Sequence, residues 1–119
     1  MIKIVNKKVP IYPGKLVVVL SDDFDIVMDK YKLSRDGSFN TCYGLACNIT
    51  GGYLVILTEH PSHNTIAHEA LHITHMILDH VGVKADYSND EADCYLLGWV
   101  IGEIYKGIEK YKITKEIIK

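Results

Sequence analysis

The chain has 119 residues, 48% of them hydrophobic and 24% charged, a balance that suits one domain built on one core. Its formal charge is −2, and Arg35 is the sole arginine among thirteen basic residues, so neither charge nor arginine content supports a nucleic-acid partner. The longest aliphatic run, Leu16–Leu20, is far too short to span a bilayer.

The opening, MIKIVNKKVPIYPG, lacks the long apolar stretch of a secretory leader, and Ile2–Val5 reads as a short strand or an ordered lead-in. The turn Tyr12-Pro13-Gly14 introduces a buried strand, Lys15–Leu20. Ser21 or Asp22 then caps a helix over about Asp23–Lys32, with Phe24, Val27, Met28 and Tyr31 on one face. After the loop SRDGSFN, the runs Asn40–Thr50 and Tyr53–Thr58 predict a β-hairpin turned at Gly51-Gly52. Cys42, Cys47 and Cys94 are an odd number without CxxC spacing, which predicts free, mostly buried thiols in a reducing cytoplasm. On one strand, Cys42 and Cys47 would point to opposite faces.

The stretch EHPSHNT breaks the strand pattern and offers Ser62 or Asn64 as the cap of a helix over about Thr65–Val81, stopped by Gly82. A last long helix runs from near Asn89 to about Tyr111. The order is β-α-β-β-α-α, which predicts an α+β domain over residues 1–119: a small, mainly antiparallel sheet packed with three helices.

The helix at Thr65–Val81 carries AHEALH. At about 100° per residue, His68, His72, His75 and Asp79 fall in one stripe, with Glu69 at its edge. Ile66, Ala70, Leu71, Ile73, Ile77, Leu78 and Val81 form the opposite, packed side. Imidazoles at i and i+4 are neighbours and both reach one ion at about 2.0–2.1 Å. The glutamate one position after the first histidine points beside the metal, where a base takes a proton from water. A shuffled chain of this composition would carry HExxH about 1–2% of the time.

A tetrahedral zinc site needs a third protein ligand. His75 and Asp79 sit about 5 Å further along the same helix, an awkward reach, so the ligand is expected from a crossing helix. On the last helix, Glu91, Tyr95, Gly98 and Gly102 form one stripe, and the two glycines would let the active helix approach closely. That would bring Glu91 over His68 and His72. Asp93 falls on the far side, and Asp90 reads as a first-turn charge favoured by the helix dipole. SNDE is also a capping box, in which Glu91 turns back to its own backbone if Ser88 is the cap; with Asn89 as cap, Glu91 projects forward.

His68, Glu69 and His72, followed by Glu91 on the next helix, resemble the zincin metallopeptidases of the glutamate-ligand branch. IAHEALH followed by NDEADCYLLGWVIGEIY is similar to small metallopeptidases of bacteriophages and prophages. The resemblance is strongest from Ile66 to Tyr105, and its Glu91-Ala92-Asp93 step also matches small HExxH proteases that cleave repressors of mobile elements. It implies a minimal zincin-like fold, zinc on His68, His72 and Glu91, and Glu69 as general base, in the host cytoplasm if phage-encoded.

The expected function is hydrolysis of peptide bonds in a peptide or protein substrate, with neither nucleic acid nor membrane as partner. Tyr95 is the preferred oxyanion donor, ahead of His75, Tyr87 and His80. Strand Tyr53–Thr58, if it is a sheet edge, would hold the peptide by strand addition. The alternative is a non-catalytic zinc-binding regulatory or interaction module of phage origin.

Overall fold

A strand of consecutive aliphatic residues cannot send alternate side chains to water, so Leu16–Leu20 must be covered on both faces. The computed structural model, which describes residues 1–118, meets that demand. It has β1 (Ile2–Lys8), β2 (Lys15–Leu20), α1 (Phe24–Lys30), β3 (Gly44–Ile49), β4 (Gly52–Leu57), α2 (His63–His80) and α3 (Glu91–Ile118). The four strands form one sheet in the order β1-β2-β4-β3, with β2 and β4, the two continuous apolar runs, inside.

The class is α+β, as expected, with a strand added at the front. β1 pairs antiparallel with β2 and β3 with β4, but β2 and β4 run parallel, with Leu16 opposite Tyr53 and Leu20 opposite Leu57. β4 is therefore not a sheet edge; the edges are β1 and β3. A register shift between Lys3 and Val5 breaks the period of two in β1, which hides a seven-residue strand from a search for alternation.

The main core lies between one sheet face and α2 with α3, built on Leu16, Val18, Leu20, Val55, Leu57, Ile73, Ile77, Val100 and Ile104. The other face carries Val17, Val19, Leu54 and Ile56 under Phe24, Val27 and Met28 of α1. The thiols depart from expectation. Cys94 is exposed, while Cys42 and Cys47 are half-buried and both border this second core. Cys42 lies ahead of β3, in a turn closed by its N–H to the Phe39 carbonyl, so the opposite-face argument for one strand does not apply. Burial pushes the Cys47 thiol up to about 11.

α2 and α3 pack antiparallel. His63, the first residue of α2 rather than a loop residue, hydrogen-bonds the Tyr105 hydroxyl well along α3. At the other end, His75 and Asp79 of α2 share a cavity of about 450 Å³ with Asp93 of α3. The rotation of α3 differs from expectation. Its buried residues Leu96, Val100, Ile104 and Ile108 repeat every four positions and set the inward face. Relative to Leu96 and Val100, Glu91 lies about 140–180° away, whereas Asp93 lies within about 60°. A side chain built at Gly98 or Gly102 would touch nothing within 4 Å, so these glycines do not serve a close helix crossing. The close approach is at Gly107, where such a side chain would meet the Ile4 carbonyl of β1 at 2.6 Å. Burial of the four aliphatic side chains outweighs the packing that two glycines permit.

Candidate metal centre

Both ends of α2 are fixed by local chemistry. Ser62, one of the two expected caps, accepts a hydrogen bond from the Thr65 N–H at 3.2 Å. At the other end Val83 N–H bonds the Leu78 carbonyl and Gly82 N–H bonds that of Asp79, with Gly82 at φ +81°. Between these stops Ile66, Ala70, Ile73, Thr74, Ile77 and Leu78 are buried. Leu71 and Val81, expected on the packed side, are exposed. Leu71 lies about 60° from His68, nearer the histidine stripe than the core.

That packing leaves His68 and His72 in solvent and turns Glu69 inward, 6% exposed. Nε2 of His68 and Nε2 of His72 stand 3.2 Å apart, with the rings nearly perpendicular at 77°. Glu69 Oε2 is 3.9 Å from His68 Nε2. Ligand atoms from the three residues all lie within 4.8 Å of one another, and no other such group of His, Cys, Asp or Glu occurs among the described residues. The spacing fits a metal. Two nitrogens each about 2.0–2.1 Å from one tetrahedral ion stand about 3.3–3.4 Å apart.

Burial pushes the Glu69 carboxyl above the ordinary carboxylate range, while positive charge on His68 and His72 pulls it back. A carboxyl raised in the folded chain adds stability below its unfolded value, and that stability is lost as pH rises through the folded value. Metal-free Glu69→Gln is therefore expected to be more stable than metal-free wild type at neutral pH. The gap closes below the ordinary carboxylate value of about 4.3. Urea unfolding across pH checks this, and a gap that widens in acid would contradict it.

Glu69 and His68 face a cavity of about 390 Å³ that is also lined by Cys42, Tyr43, Gly44, Asn64 and Thr65. Gly44 is the contact that sequence reasoning missed. A Cβ there would stand 2.8 Å from both Glu69 Cγ and Thr65 Cγ2. The start of β3 thus rests directly on α2 at the buried carboxylate. A glycine opening a strand was the available signal, but its partner lies on a distant helix.

The two remaining predicted site residues lie apart from this group. Glu91 opens α3 and is exposed, and Tyr95 is 78% exposed on the outward side of the same helix. The capping-box reading of Glu91 has lost its partner, because the Ser88 N–H that its carboxylate would accept from donates instead to Asp86 Oδ1 at 3.0 Å. Among the described residues the Glu91 carboxylate makes no hydrogen bond. His75 and His80 are exposed on α2, and Tyr87 is exposed in the loop that follows it. Comparisons with protein families, with curated proteins and with solved structures found no match to this chain.

Proposed function

We propose that this chain is a zinc-dependent metallopeptidase of the glutamate-ligand zincin type. The observation that carries the reading is the 3.2 Å between the Nε2 atoms of His68 and His72, with the Glu69 carboxylate beside them. A core histidine pair would be buried and bonded to backbone; these two are exposed and aim the same nitrogens at one point. Zinc bound there would lower the pKa of a water and polarise a scissile carbonyl. His68 and His72 would hold the ion through Nε2. Glu69, made more basic by its burial, would take the proton from the water and pass it to the leaving nitrogen.

The substrate peptide would lie along β3. That strand is a sheet edge and begins at Gly44, on the cavity wall beside Glu69, so an extended chain added to it passes the carboxylate. This moves the strand-addition site from β4 to β3. Tyr43, 76% exposed on the same cavity, is better placed than Tyr95 to donate to the oxyanion.

Glu91 is proposed as the third ligand on the resemblance of NDEA to the zincin pattern; it stands outside the group formed by His68, Glu69 and His72, so binding would draw the first turn of α3 toward α2. Asp93 is the rival, since it faces the cleft between α2 and α3 with His75 and Asp79. A metal-loading series decides. His72→Ala and Glu91→Ala are expected to weaken zinc binding by about tenfold or more, and Asp93→Ala to leave it nearly unchanged. The reverse order for Glu91 and Asp93 would transfer the ligand to Asp93. Zinc binding at one equivalent without cleavage of any peptide library would leave the non-catalytic module as the function.

A further inference from the structure

On the sheet face away from α2, the seven residues of α1 pack on Val17 and Val19 of β2 and on Leu54 and Ile56 of β4. At the C-terminal end of α1 is a cavity of about 320 Å³ lined by Lys3, Lys15, Lys30, Tyr31, Lys32 and Thr50. Four observations there lack an explanation in the fold.

The first is charge. The chain has a net charge of −2, yet four lysines surround one cavity. Ion pairs among the described residues engage Lys7, Lys106 and Arg35 but none of the four. The second is register. Lys8 and Lys15 are direct cross-strand partners in the β1–β2 ladder, an opposition of like charges that weakens a sheet. The third is Tyr31. Its hydroxyl is buried without a hydrogen-bond partner, a state that native structures rarely leave unresolved.

The fourth is Lys32, at φ +57°. It follows the C-cap of α1 in a turn closed by Leu33 N–H to the Met28 carbonyl and Lys32 N–H to that of Asp29. α2 ends with the same pair of bonds, and there the left-handed position is filled by Gly82. The chain uses a strained lysine where glycine serves folding better, and that lysine borders the cavity. Left-handed non-glycine residues held by their surroundings concentrate at functional sites.

We propose that this cavity binds a small ligand through a phosphate-type oxyanion. The lysine ammonium groups supply the charge, and the Tyr31 hydroxyl, buried beneath the cavity wall in this structure, becomes a donor to an anion oxygen once the ring turns toward the cavity. Lysine acts on phosphate as a point charge, so such a site does not need a guanidinium fork. Four of the chain's twelve lysines gather at this one pocket, whose volume of about 320 Å³ is that of a small-ligand site rather than of a groove for a polyanion. The site is on the opposite sheet face from His68 and His72, so it stands or falls apart from the metal reading.

The test is a titration of the full chain with inorganic pyrophosphate at low salt, followed by amide NMR shifts. The expected result is saturable shifts at Lys15, Tyr31, Lys32 and Thr50, unchanged by a metal chelator. Lys32→Gly is the decisive variant because it relieves the left-handed strain: it should fold at least as stably as wild type yet bind about tenfold more weakly. Tyr31→Phe should weaken binding several-fold, and Lys84→Gln, across the molecule, should not. A parallel titration with phosphoserine distinguishes an esterified from a free phosphate as the source, and saturable binding of either supports the site. Lys32→Gly binding pyrophosphate as tightly as wild type would overturn it. So would shifts that never saturate, or binding of a single-stranded oligonucleotide without binding of pyrophosphate.

Discussion

Glu69→Gln is expected to bind a full equivalent of zinc and to lose peptide cleavage by about 10²–10⁴-fold, the usual contribution of a positioned general base. The amide is nearly isosteric with the carboxylate, so the wall formed by Gly44 and Thr65 is undisturbed and the change is confined to proton affinity. His68 and His72 keep their 3.2 Å nitrogen pair, so metal loading measured by elemental analysis should match wild type. The two readouts must separate. Loss of zinc together with loss of cleavage would make Glu69 a ligand, which its place within 4.8 Å of the histidine nitrogens also permits chemically. Unchanged cleavage would remove it from the chemistry altogether.

Gly44→Val should lower cleavage by about 100-fold while sparing the metal. Even a methyl group at this position stands 2.8 Å from Glu69 Cγ and Thr65 Cγ2, closer than carbon atoms pack. The side chain of Glu69 must swing away, or α2 must lift from β3. Either displaces the base by the order of an ångström, while His68 and His72, on the solvent side, move with the helix as a pair. Overpacking of this kind costs about 1–3 kcal/mol of stability, which thermal unfolding would register. Gly44→Ala should fall between wild type and Gly44→Val in both measurements. A variant that retains full cleavage would show that β3 does not hold the carboxylate in place.

Much of this was legible locally. β2 begins and ends where its aliphatic run and preceding turn predict, and α2 begins two residues early, at the Ser62 cap. The histidine pair followed from the spacing of AHEALH, because a helix fixes the geometry of positions four apart. What failed depends on distant partners. That β4 is interior follows from its parallel pairing with β2, which no local pattern encodes. The rotation of α3 was misjudged by weighing Gly98 and Gly102 above the spacing of Leu96, Val100 and Ile104. Gly44 was invisible because its meaning lies in two side chains of another element.

The parallel seam between β2 and β4 also bears on how the chain finds its structure. On either side of it stand two antiparallel pairs, β1 with β2 and β3 with β4, each closed by a short turn. Such pairs form within microseconds, whereas joining them requires closing the long segment that carries α1. The seam is thus expected to be the late, slow event of folding. The histidine pair and the strand end that touches Glu69 both belong to the later half of the chain, from β3 onward. A metal ion bound by the His68, Glu69 and His72 cluster would therefore engage this half before the sheet is whole, and hold it in place while the seam closes.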